Sequence, residues 1–198
     1  MKFIRNSIFL FLILCCGAAA QGQNLVDFNQ KRNDMSKKAM ISLGSWSLLN
    51  LGGSTAGLLL SEGERAKGFH QMNILFNVVN LGLAIPGYVS AKKDDPTAYG
   101  PKESYKAQLK KEKIFLFNTA FDFTYVAGGF YLRERSKWDL EHSEKLLGLG
   151  NSLIIQGSFL IALDLTMTLL HTRNRKRNFD AHLQLSSGPN GLGAVWKF

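Results

Sequence analysis

Cysteine is nearly missing from this chain. Of 198 residues only two are cysteine, Cys15 and Cys16, adjacent in the first apolar block. If that block is removed on export, the remainder has no disulfide, no thiol nucleophile and no cysteine metal ligand. Proline is scarce as well, 4 residues against 19 glycines. That balance suits closely packed membrane helices better than turn-rich or disordered chain. No P-loop, dinucleotide fingerprint, nucleophile elbow or HExxH helix is present. His70, His142 and His171 lack metal-ligand spacing and read as interfacial residues. No catalytic residue, metal ligand or cofactor emerges, and the chain reads as a non-enzyme. Nucleic-acid motifs are missing too, so the basic excess (24 Lys and Arg against 15 Asp and Glu) finds its simplest counter-charge in anionic lipid head groups.

The first block, "MKFIRNSIFLFLILCCGAAAQGQ", has a positive start at Lys2 and Arg5. An apolar stretch from Ser7 to Cys16 follows, then small residues at Ala18 to Ala20. That is the layout of a secretory signal peptide, residues 1–20. A polar tail is expected over 21–38, a bundle over 39–172, and a basic tail with a hairpin over 173–198. Within the bundle four segments are each long enough to cross a bilayer, which takes roughly 20 residues. They run over about 39–60, 69–91, 113–132 and 146–171. The expected class is therefore all-α membrane, an up-down bundle of four transmembrane helices with a short C-terminal β-hairpin. The hairpin is read from "HLQLS" and "LGAVWKF" alternating around "SGPNG". It would cap the helix ends or add to a partner's sheet edge.

Location follows from the leader: the cell membrane, reached by export, with the outer membrane or the periplasm as alternatives. Orientation holds a conflict. A cleaved leader places the connectors around Glu62 and Glu134 in the cytoplasm. These carry Arg65, Lys67, Arg133, Arg135, Lys137 and Lys145, while most other basic residues fall on the opposite side. The positive-inside rule prefers the reverse.

Uninterrupted apolar runs are also lacking inside the four segments. "FHQMNILFNVVN" carries Asn73, Asn77 and Asn80. At 100° per residue these fall within about a 60° arc, so they form a seam. The third segment aligns Asn118 and Asp122, the fourth adds Asn151, Gln156 and Asp164, and the first adds Asn50 beside Trp46 and Ser54. Antiparallel packing then predicts three polar layers. Asn50, Asn80, Asp122 and Gln156 lie mid-bundle, Asn118 and Asp164 nearer one surface, and Asn73 and Asn151 nearer the other. Facing lipid, an Asp at a helix centre would cost about 2.5–3.5 kcal/mol, whereas facing each other such groups satisfy one another. The nine residues form a seam that holds helices together or binds a small polar ligand, a lipid head group or a cation. The alternatives are a subunit of a proton- or cation-coupled channel or transporter, and an intramembrane enzyme using Asp122 or Asp164. Partners are the lipid bilayer and a second copy or a membrane complex. Gly53-x-x-x-Gly57 and "GLGNS" read as places of close helix approach.

The segments "SWSLLNLGGSTAG", "FHQMNILFNVVNLGLA", "EKIFLFNTAFDFTYVAGGFYLRER" and "GLGNSLIIQGSFLIALDLTMTLLH" resemble an uncharacterised family of small membrane proteins of Bacteroidota-type bacteria. The resemblance spans about residues 35 to 172. It implies four membrane helices and a membrane location, and it implies no activity.

Overall fold

The computed structural model describes residues 2–178, 183–188 and 191–196, with side chains described over 25–178. Four helices make up the body: α1 (Lys2–Leu60), α2 (Glu64–Lys93), α3 (Pro101–Arg135) and α4 (Ser143–Asn178). A two-stranded antiparallel ladder follows, β1 (Leu183–Gly188) with β2 (Gly191–Trp196), in the register Leu183↔Trp196 to Gly188↔Gly191. The turn at 189–190 and the terminal Phe198 lie outside the described residues.

The helix ends follow local chemistry. "SEG" breaks the chain after α1, and Gly63 starts α2 in extended backbone, its carbonyl accepting from Lys67. After Lys93 the chain turns through Asp95-Pro96. Asp95 Oδ1 accepts from both the backbone N–H and the hydroxyl of Thr97, at 2.9 and 2.7 Å. Those bonds hold the Asp95 carboxyl below its ordinary range. Pro101 then opens α3, where its fixed φ and missing N–H cost nothing. The connectors are short, and a 30-residue helix such as α2 is about 45 Å long.

The expected class needs correcting. Among the described residues, two helices, α2 and α4, are long and apolar enough to cross a membrane, by length and composition. Glycine, serine and asparagine dilute α1 over 39–60, and Lys, Glu, Asn and Asp dilute α3. The all-α bundle of four transmembrane helices is therefore replaced by a four-helix body with two helices of spanning character. The strands contact chiefly each other and add no layer to that body. Residues 21–38, expected as a polar tail, lie within α1, and Phe28, Asn29, Arg32, Asn33, Met35 and Ser36 are buried there. The third helix starts at Pro101, ahead of the segment expected over 113–132, and α4 runs on through the basic residues to Asn178.

Packing is most extensive between α1 and α2 and between α3 and α4, and next between α2 and α4. By contrast, α2 and α3 meet at few points, although a connector as short as that between α3 and α4 joins them. Glycines set the close approaches. A Cβ on Gly150 would stand 2.6 Å from the Gly129 carbonyl oxygen, and one on Gly148 would collide with the Arg65 carbonyl. "GLGNS" is thus where α4 meets α3 and α2. Gly53 faces open space, and Gly57 makes room for the His70 ring. The Gly53–Gly57 pair therefore does not bring two backbones together.

The interior is polar and the exterior apolar. The largest fully buried side chains are Arg32, His171, Gln108, Gln156, Asn29 and Asn77. Leu75, Leu83, Phe117 and Phe123 are among many large apolar side chains left more than half exposed. Buried apolar clusters are small, Ala39 with Phe115 and Met167, and Leu43 with Ala84 and Leu160.

Candidate functional site

Three polar groups occupy the bundle, each with its own chemistry. The first is an amide network. Asn73 Nδ2 donates to Asn50 Oδ1 at 3.0 Å and to the Ser54 hydroxyl. Gln156 Nε2 donates to Asn50 Oδ1 at 3.2 Å and to Asn73 Oδ1. Trp46 Nε1 donates to Gln156 Oε1 at 2.8 Å, and its ring stacks on Phe159 with centroids 4.1 Å apart. Asn50 Nδ2 returns to the Trp46 carbonyl at 2.8 Å, and Asn77 Nδ2 bonds the Asn73 carbonyl at 2.7 Å. Three helices, α1, α2 and α4, are thereby tied at one level. A buried amide that spends its donors and acceptors on neighbours is stabilising, whereas one left open costs about 1–3 kcal/mol.

The second group is different. Asp122 of α3 and Asp164 of α4 line the same cleft close enough to act on each other electrostatically, with Asn118 beside them. Both carboxyls are buried, as is Asn80 of α2. Asp122 Oδ2 and Asn80 Nδ2 have no hydrogen-bond partner. All four residues line a cleft of about 820 Å³ between α2 and α3, backed by Leu153, Leu160 and Leu163 of α4 and by Met40 and Leu43 of α1. The cleft exists because α2 and α3 both lean on α4 and meet each other at few points, one of them the edge-to-face contact of Phe76 with Tyr125, ring centroids 4.8 Å apart. Its walls are apolar: Met72, Leu75, Phe76, Val79 and Leu83 on one side, Ile114, Phe117, Phe121 and Tyr125 on the other. No Lys, Arg or His lines it.

The third group lies at the end where α1 meets the α2–α3 connector. Arg32 donates to Asn29 Oδ1 at 2.6 Å and to Asp94 Oδ2 at 3.0 Å, and its guanidinium lies 4.7 Å from the Tyr99 ring centroid. Tyr99 OH donates to Asp94, which holds the phenol above its ordinary range. Asn29 bonds the Pro96 carbonyl and Ser104, and Asn33 bonds the Asp94 carbonyl. Alongside, Gln108 bonds the carbonyl and ring of His171, and Glu112 pairs with Arg175 at 3.0 Å. Burial lowers the Lys111 ammonium, with Asp94 acting against that shift.

The structure divides the nine sequence candidates. Asn50, Asn73, Asn77 and Gln156 lie in the amide network. Asn80, Asn118, Asp122 and Asp164 line the cleft, with Asn118 exposed towards its mouth. Asn151 is half-buried and enters neither group. The level of Gln156 holds Asn50 and Asn73, while Asn80 and Asp122 belong to the cleft. His171 is fully buried on Gln108 and stacked on Phe115, so it is not interfacial. Sequence reading missed Arg32, Asp94, Gln108 and Glu112, because it placed them in a tail and a connector. The signal was available: Asn29, Arg32, Asn33 and Ser36 recur at helical spacing.

Among the described residues no three His, Cys, Asp or Glu side chains come together as metal ligands. No curated protein matches the chain, and no solved structure does. A model for a family of unknown function, DUF6992, matches residues 42–165, which include all nine sequence candidates and every cleft-lining residue but Met40. The chain belongs to the DUF6992 family.

Proposed function

We propose that this protein is an integral membrane helix bundle that binds a small amphiphile in the cleft between α2 and α3. The observation that carries this reading is the cleft itself. Apolar side chains form its walls, and a floor of the buried Asn80, Asp122 and Asp164 holds an unpartnered acceptor and an unpartnered donor. About 820 Å³ is within the range of pockets that take one small ligand. An apolar wall with a few placed polar groups is the usual build of such a pocket.

Membrane placement is supported by the inverted polarity of the bundle. Large apolar side chains lie outside, amides and carboxyls lie inside, and two helices have spanning length. Water outside would leave that apolar surface unburied, whereas lipid accepts it. A channel or transporter subunit has less support, because the amides of Asn50, Asn73 and Gln156 bond one another and tie three helices together beside the cleft.

Two measurements test the reading. Expressed full-length protein should stay in the membrane fraction after an alkaline carbonate wash, and release by the wash would sink the membrane placement. Native mass spectrometry of the purified protein should show a bound amphiphile. Val79→Trp, which fills the cleft from an exposed wall position, should remove that mass. Identical bound masses in the two proteins would place the ligand elsewhere.

A further inference from the structure

The floor of the cleft restricts what its occupant can carry. Two carboxyls meet there, and no Lys, Arg or His side chain lines the cleft to neutralise them. Asn118 beside them is neutral, and Asp122 Oδ2 has no donor. A pair of carboxyls in an apolar surround is neutralised by a proton or by a cation, and of cations one with several N–H donors suits it best. A primary ammonium has three such donors and can give one to each carboxyl. Asn80 adds a separate demand. It is buried and its Nδ2 has nothing to donate to, so it calls for an acceptor oxygen near the same place. The walls above are apolar on both sides and suit an alkyl chain, and the cleft is of a size for one chain.

We propose that Asp122 and Asp164 hold the ammonium of a single-chain amphiphile, and that Asn80 donates to an oxygen carried beside that ammonium. This rests on the cleft reading above and names its ligand class: an alkyl chain ending in an amino-alcohol head.

The test uses the full-length protein in phosphatidylcholine nanodiscs, a lipid without a primary amine. The probes are 2-aminododecan-1-ol, dodecylamine, dodecan-1-ol and dodecanoic acid, compared by equilibrium binding. Dodecylamine should bind about tenfold more tightly than dodecan-1-ol, as expected for one charge-assisted pair over a neutral one. The amino alcohol should exceed dodecylamine, and the acid should bind most weakly. Asp122→Asn with Asp164→Asn should abolish the amine preference, so that dodecylamine and dodecan-1-ol bind the variant equally. Asn80→Val should remove only the advantage of the amino alcohol over the amine. Equal binding of amine and alcohol by the unaltered protein would overturn the proposal without any variant, while binding that Val79→Trp abolishes would keep the cleft reading. If Val79→Trp changes nothing, or no probe binds, the cleft reading falls with it. Stabilisation by Na+ or K+ that displaces the amine would also overturn the proposal, in favour of a bare cation.

Discussion

The amide network around Gln156 and the carboxyl floor around Asp122 are made of similar residues on similar helices, at neighbouring levels of one bundle. They differ in what surrounds them. Around Gln156 three helices pack closely, and each amide meets another amide, a hydroxyl or an indole. Around Asp122 only α3 and α4 pack, and the opposing helix, α2, stands off across a cleft. Polar residues in an apolar segment are glue where helices close on them and are candidate binding groups where helices do not. Residue type alone does not separate the two cases, because Asn73 and Asn80 are seven residues apart on the same face of α2. What separates them is the neighbour: Asn73 bonds side chains of α1 and α4, whereas the buried Nδ2 of Asn80 has no partner beside the cleft.

The largest effect should come from breaking the closed group. Gln156→Leu removes the acceptor of the Trp46 indole and two donors to Asn50 and Asn73. The stranded indole N–H and the loosened Asn73 should lower stability by about 2 kcal/mol. Reversible unfolding in mixed micelles would measure this. A loss below about 0.5 kcal/mol would mean that the network is not what joins α1, α2 and α4. Coupling within the network is the next effect down. In a double-mutant cycle, Trp46→Phe and Gln156→Leu should share about 1 kcal/mol, since they remove the same bond. Additive effects would deny that the indole and the amide act together.

Much of this was readable before any coordinates. The helical spacing of Asn73, Asn77 and Asn80 gives their shared face, and short connectors give α1–α2 and α3–α4 as pairs. Which layer each residue joins was not readable, because depth alone cannot say that α2 packs on α4 and not on α3. Arg32 and Gln108 were missed for a related reason. Their helices extend beyond the apolar segments, so hydropathy marks them as tail and connector. Only the partner, Asp94 for one and His171 for the other, reveals that they are interior. Length suggests four spans where composition does not: among the described residues, the segment of α1 over 39–60 and α3 are long enough but too rich in small and polar residues.

The open group should respond in the opposite sense to the closed one. Asp122→Asn puts a neutral donor beside Asp164 and removes the meeting of two carboxyls. Stability should rise by about 0.5–1 kcal/mol in the absence of ligand, the usual sign when a binding site held for function is neutralised. Micelle unfolding at neutral pH checks it. A loss of 1 kcal/mol or more would make the carboxyl pair a structural element like the network and erase the distinction between the two regions.

The smallest effect sharpens the comparison most. Asn151 has the same residue type as Asn73, sits on a neighbouring turn of α4 to Gln156, and enters neither group. If polar side chains in these helices mattered by type, Asn151→Ala would cost as much as Gln156→Leu. If they matter by what they meet, it should change stability by less than about 0.5 kcal/mol, as substitutions outside a network do. It should also leave amphiphile binding unchanged, because Asn151 does not line the cleft. A cost near 2 kcal/mol would point to a partner for Asn151 outside this chain, with a second protomer completing α4 as α1 and α2 complete Gln156.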